Sequence, residues 1–253
     1  MRTACMVFIL LFVVSFCSCG NKSDKVDVKN SILAVNSKTA VTLAAEEYSS
    51  KGMTFAEYDN YSDCILALEN SKADFTILDS FQYINFTNSQ RSISLVEKCS
   101  YKTDYCAYFS KDNEDLCDEF NWVLEELKDD GTVDEIFRKY ALGEGKVSVD
   151  SADADKVITI LSDLSFEKRA CCDSDGNAYG TDIDIAKTIF KRLGYSVEIK
   201  EADFDELFLM LENGEGDVIV SATEYNESRA ESYLASDTYL TIEYYLVERK
   251  TEK

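Results

Sequence analysis

Two stretches of the chain carry the same order of apolar and polar positions, with Tyr61 in the first answering to Phe204 in the second. In the first, Tyr61, Cys64, Ile65 and Leu68 recur at spacings of three and four; in the second, Phe204, Leu207, Phe208 and Leu211 do the same. That period predicts an amphipathic helix in each copy. A polar turn follows, Glu69-Asn70-Ser71-Lys72-Ala73-Asp74 or Glu212-Asn213-Gly214-Glu215-Gly216-Asp217. The turn runs into a short apolar segment, Phe75-Thr76-Ile77-Leu78 or Val218-Ile219-Val220-Ser221, with the length of a buried strand. Each helix is preceded by a strand pattern, over 54–58 and 195–200. Two copies are too few for a solenoid. They predict two α/β lobes built alike, each with a mostly parallel sheet flanked by helices.

The remaining pattern fits that plan. Strands are predicted over 32–35, 105–109 and 157–161, and helices over 41–50, 114–128 and 133–140, the last two around the turn Asp130-Gly131. Gly180 precedes a helix reaching Leu193, and Gly194 is placed to end it. Residues 143–156, with Gly143, Glu144, Gly145 and a run of Ser and Asp, read as a linker.

Composition narrows the function classes. The 253 residues carry a formal net charge of −22, which argues against nucleic acid, whose phosphates would be repelled. Histidine is absent, so the usual triads and zinc sites lose their commonest member, and no metal or cofactor is expected. Arg2, the apolar run 6–14 and the small residues Ser15, Ser18 and Gly20 have the layout of a secretory signal, too short for a comfortable membrane span. Beyond Cys19 lie Cys64, Cys99, Cys106, Cys117, Cys171 and Cys172, whose spacings match no metal pattern. Cys99 and Cys106 could meet across a hairpin, but small buried thiols are the preferred reading. Export favours bridges and an anaerobic habitat does not, so the sequence leaves the redox state open.

The N-terminal segment resembles a bacterial lipoprotein signal, with Ser18 before the cut and Cys19 as the lipidated residue; Phe16 departs from the Leu or Val usual there. Beyond it, the sequence resembles the extracytoplasmic polar amino-acid-binding proteins that serve ABC importers. Asp175-Gly176-Asn177-Ala178-Tyr179-Gly180-Thr181-Asp182-Ile183-Asp184-Ile185-Ala186 is similar to the opening motif of that family. Phe204-Asp205-Glu206-Leu207, Asp217, Asn226, Arg229 and Ser236-Asp237-Thr238-Tyr239 follow its spacing. Residues 28–142 resemble the family's closing half, from Val35-Asn36-Ser37-Lys38-Thr39 through Asp74 and Asp79 to Asp130-Gly131-Thr132 and Lys139-Tyr140. The halves therefore come in reverse order. A circular permutation is the expected explanation, with two truncated copies as the alternative.

The resemblance implies a two-lobed fold of the type II periplasmic-binding-protein kind. Residues 1–19 form the signal and 20–27 a tether. One lobe takes 28–106 with 245–250, the other 107–142 with 157–244, and 143–156 joins the family's usual ends. The implied partners are a free amino acid, an ABC permease and, through the lipid anchor, the outer face of the cell membrane.

A free amino acid is a zwitterion, and taking both charges out of water costs several kcal/mol unless each meets an opposite charge. The resemblance assigns Arg229 to the ligand carboxylate, where a planar guanidinium can donate two parallel bonds, and Asp79 to the ammonium. Taken in isolation, Arg229 reads as a surface helix residue and Asp79 as a helix cap. Phe204 and Phe166 fall where the family sandwiches the ligand side chain, although isolated phenylalanines more often pack a core. Ser221, Thr223 and Thr39 would donate to the carboxylate, and Asp163 would touch the distal side chain. Departures are Ala222 and Glu224 in place of hydroxyl residues, Lys38 in place of a small one, and Lys168-Arg169 in place of Pro-Phe. Asp163 with Glu224 would suit a cationic side chain, whereas Lys38 would suit an anionic or amide one or neutralise Glu224. The expectation is a polar amino acid, leaning towards basic, and no catalysis. The alternatives are a cyclohexadienyl-dehydratase-like enzyme using Glu224 or Asp163 as proton donor, a sensor without transport, and a relative that binds nothing.

Overall fold

A computed structural model of the chain describes residues 28–36, 39–146 and 155–250. The expected signal, tether and lipidated Cys19, together with Lys38, lie outside these residues. The chain opens with β1 (Ile32–Asn36), α1 (Thr39–Ser49), β2 (Thr54–Tyr58), α2 (Tyr61–Glu69), β3 (Phe75–Asp79), α3 (Ser80–Asn88) and the long β4 (Ile93–Tyr105). It then leaves for a second lobe through β5 (Tyr108–Phe109), α4 (Glu114–Asp129), α5 (Thr132–Leu142) and β6 (Val157–Ser162). A small antiparallel meander follows: β7 (Ser165–Phe166), β8 (Ala170–Cys172) and β9 (Ala178–Tyr179). The second lobe is completed by α6 (Thr181–Arg192), β10 (Ser196–Glu201), α7 (Phe204–Glu212), β11 (Val218–Ile219), α8 (Glu227–Ser232) and β12 (Leu234–Ala235). Last, β13 (Leu240–Arg249) returns to the first lobe.

Both large sheets have five strands on one plan, β2-β1-β3-β13-β4 and β10-β6-β11-β5-β12. The strands before and after each of α1 and α2 pair through β1 in parallel, as helical crossovers require. The fourth place in each sheet goes to a strand lent by the other half of the chain. β13 runs antiparallel to β3 and β4, and β5 runs antiparallel to β11 and β12. The chain thus passes between the lobes twice, at 106–107 and 236–239. The sequence repeat is realised in α2 and α7, nine residues each, and in the strands that follow them.

Helix faces follow the apolar period. α1 buries Val41, Ala44, Ala45 and Tyr48 against the first sheet, and α6 buries Ile185, Ala186, Ile189 and Phe190 in the second lobe. Phe109 meets Phe120 edge to face and Phe120 meets Phe190 at a tilt, with ring centroids 5.5 and 5.6 Å apart, tying β5 to α4 and α6. Each fully buried side chain of this size contributes about 1.5–3 kcal/mol of transfer free energy.

One expected boundary is corrected here. The strand that rejoins the first sheet starts at Leu240, paired with Tyr105, so that lobe gains the residues from 240 on and not only 245–250. Cys99 lies within β4 and Cys106 just past its end, so no hairpin brings them together. All six described cysteines are free, and burial pushes the Cys99 and Cys106 thiols up to about 11.

One glycine is indispensable on steric grounds. Gly180, between β9 and α6, adopts φ +130°, and a Cβ there would lie 2.2 Å from the Arg169 carbonyl oxygen. Its N–H donates to the Tyr140 hydroxyl at 3.1 Å. Gly180→Ala should cost about 3 kcal/mol or more through overlap and backbone strain. Chemical denaturation measures this, and an unchanged midpoint would refute the geometry.

Candidate functional site

A cleft of about 590 Å³ opens between the lobes. The first lobe supplies Tyr61, Asp79, Phe81, Gln82 and Tyr244; the second supplies Phe166, Lys168, Arg169, Ala222 and Glu224, with Tyr105 at the crossing. Strand ends bordering a crevice are the usual ligand position in α/β sheets. Asp79 is the last residue of β3, where its Oδ1 accepts the Gln82 N–H at 2.8 Å and its Oδ2 accepts the Tyr61 hydroxyl at 2.7 Å. It is therefore both the N-cap of α3 and a carboxylate on the cleft wall. Burial first, and then the Asp79 charge, push the Tyr61 hydroxyl far above its ordinary range, so Tyr61 stays a donor.

The opposite wall is built on an ion pair. Asp182, in the first turn of α6, is fully buried, and Arg169 is only 8% exposed. Arg169 donates from Nε to Asp182 Oδ1 at 2.6 Å and from Nη2 to Oδ2 at 2.9 Å. Asp182 Oδ2 also accepts the Tyr239 hydroxyl at 2.6 Å and the Ala222 N–H at 2.9 Å. The guanidinium lies over the Tyr105 ring, 3.7 Å from its centroid. Burial by itself would lower the Arg169 pKa, but the Asp182 charge and hydrogen bonds outweigh it and hold the guanidinium charged. Lys168 and Ala222, on either side of this pair, both adopt positive φ, +65° and +47°. Those strained conformations are held by the hydrogen bonds from Thr181 N–H to the Lys168 carbonyl and from Ala222 N–H to Asp182.

Arg229 stands on α8, whose cap Asn226 accepts the Arg229 N–H at 3.2 Å. Its guanidinium lies 5.1 Å from the Phe208 ring and 5.5 Å from Phe204, and Nη1 donates to the Glu224 carbonyl at 3.4 Å. Arg229 lines a side depression of about 200 Å³ with Phe166, Phe204, Ala222 and Glu224. Phe166, Ala222 and Glu224 also line the main cleft, so the two cavities adjoin. Phe166 and Phe204 meet edge to face at 6.3 Å.

Other expected residues are used differently. The Asp163 carboxylate accepts the Ser165 N–H at 2.9 Å and lines neither cavity. The Ser221 and Thr223 side chains are fully buried; Ser221 Oγ accepts the Asp163 N–H, and the Thr223 hydroxyl donates to the Ser221 carbonyl. Thr39 is the first residue of α1, two before Val41, which lines the cleft. The sequence reading passed over Tyr61, Gln82, Tyr105, Tyr244 and the structural part played by Arg169. Only Arg169 carried a signal, a charge where an apolar residue was expected. Among the described residues no three His, Cys, Asp or Glu side chains gather to hold a metal.

Residues 158–253 match the bacterial extracellular solute-binding proteins, family 3. The match covers this part of the chain, less than half of its length. A probable histidine-binding protein of Neisseria gonorrhoeae is 32% identical over 101 residues, 40% of this chain and 38% of that protein. An arginine-binding extracellular protein of Bacillus subtilis is 30% identical over 74 residues, 29% of each chain. A membrane-bound lytic murein transglycosylase F of Klebsiella pneumoniae is 28% identical over 95 residues, 37% of this chain and 18% of that protein. The chain spans well under half the length of these curated relatives. Within the matched segment lie β6 from Ile158 on through β13, hence Arg229, Phe204, Phe166 and the Arg169–Asp182 pair, whereas Asp79 comes from the half outside the match.

Asp182→Asn would leave the Arg169 charge buried without its counter-ion. Removing one partner of such a pair should cost about 3–5 kcal/mol, read as a lower urea midpoint; a loss below about 1 kcal/mol would place the pair among weak surface-type bridges.

Proposed function

We propose that the protein binds a free polar amino acid between its lobes and delivers it to an ABC-type importer. The reading rests chiefly on one observation: the Asp79 carboxylate of one lobe and the Arg229, Phe204 and Phe166 group of the other border adjoining cavities. A zwitterion placed there would give its ammonium to Asp79 and its carboxylate to Arg229, while the two phenylalanines flank its side chain. Neither lobe alone neutralises both charges, so occupancy favours the closed arrangement by its differential affinity. The cleft volume lies within the range of small-molecule sites. Lipidation at Cys19 would hold the protein against the outer face of the membrane, near the permease. The cleft is read as a binding site without turnover.

The permuted chain order belongs to the same proposal. Leu33 pairs with Phe75, and Phe75 with Glu248, so the first and last described strands lie on either side of β3. At two strand spacings their ends are about 10 Å apart, a gap a short loop can cross. Ser31 and Arg249 border the same surface depression, which supports that closeness.

A thermal-shift screen against the standard amino acids tests the binding. A ligand at a hundred times its Kd should add about 2.7 kcal/mol of stability, and Arg229→Ala should abolish the shift while the unliganded protein still unfolds cooperatively. Full affinity in that variant would refute the carboxylate assignment. For the permutation, a chain that joins residue 250 to residue 28 by a short loop and opens within 147–154 should fold and keep the wild-type ligand shift. A chain so rearranged that neither folds nor binds would favour two truncated copies.

A further inference from the structure

We infer that Arg169 sets the specificity of the cleft against cationic side chains and in favour of amide or carboxylate ones; this rests on the amino-acid-binding reading above. A lysine or arginine ligand needs a second buried carboxylate for its side chain, besides the one that takes its ammonium. Asp182 is the fully buried carboxylate behind the cleft wall, and its acceptor capacity is spent. Two bonds come from Arg169, one from Tyr239 and one from Ala222, which fills the roughly four lone-pair sites of a carboxylate. Arg169 itself forms part of the wall, so a protein guanidinium occupies the place beside Asp182 that a ligand cation would have to take. The carboxylates left on the second-lobe wall are Glu167 and Glu224, both exposed, where an ion pair is screened and contributes little. Asp163, the other residue expected to meet a cation, turns back to its own loop. On the donor side, Asp182 engages only Nε and Nη2 of Arg169, and Lys168 lines the cleft next to it. Those donors suit a side chain that accepts hydrogen bonds. The cleft of an acidic protein is in this way closed to the ligands that its net charge attracts.

The test compares glutamine, asparagine, glutamate and aspartate with lysine and arginine by calorimetry and thermal shift. Wild-type protein should bind the best of the first group at least about ten-fold more tightly than either cation. Arg169→Ala, which frees Asp182 and opens the space beside it, should gain lysine or arginine affinity by about ten-fold or more. If that variant does not fold, Arg169→Met with Asp182→Asn removes both charges together, and should lose the discrimination without acquiring cation binding. Wild-type protein preferring lysine or arginine, or the charge-free double variant gaining them, would overturn the inference and leave amino-acid binding intact. A wild type that answers to no amino acid would overturn the proposed function and this inference together.

Discussion

A carboxylate buried without solvent must find its full set of partners within the protein, and Asp182 finds them in three separate stretches of chain. Arg169 comes from the residue just before β8, Ala222 from the loop after β11, and Tyr239 from the second passage between the lobes. Arg169 in turn covers Tyr105, the last residue before the first passage. One ion pair therefore fixes the wall of the cleft and bears on both connections about which the lobes would move. The pair is stable because neither charge is left uncompensated; the same desolvation that makes it costly to bury makes it costly to break. The burial that raises the Tyr239 hydroxyl far above its ordinary range, reinforced by Asp182, keeps it a donor.

The exchanged strands explain why the lobes stay together while leaving a cleft. β13 is hydrogen-bonded on both edges inside the first sheet, and β5 inside the second, so each lobe's sheet is complete only with a strand from the other half of the chain. Parting the lobes entirely would strip backbone groups of their partners, a cost no surface contact compensates. Phe81 on α3 meets Phe137 on α5 with ring centroids 4.6 Å apart, an apolar contact between the lobes.

Charge in the cleft is divided by depth. Asp79 is anchored by a backbone N–H and a tyrosine hydroxyl, and Arg229 rests on two aromatic faces, so each holds its position before any ligand arrives. In the proposed binding role, such preorganisation would lower the ordering cost. Glu167 and Glu224 sit at the exposed rim, where under the proposed function they would affect the approach of charged solutes more than their final affinity.

Sequence alone determined the two-lobed plan, since helix and strand periods are local and the repeat of Tyr61 to Leu78 in Phe204 to Ser221 is visible residue by residue. It also read Asp79 as a helix cap and Arg229 as a helix residue, both as found. The exchange of β5 and β13 was legible only through the family resemblance, which put 245–250 in the first lobe and 107–142 in the second, because pairing between strands more than a hundred residues apart leaves no mark on either strand's own pattern. The part played by Arg169, which read as an isolated departure, was not legible. Its meaning comes from Asp182, thirteen residues away, and from Tyr105 and Tyr239, which only chain folding brings to the same point. Local composition fixes which segments bury an apolar face, but a buried charge is defined by its partners, and those are chosen by tertiary structure.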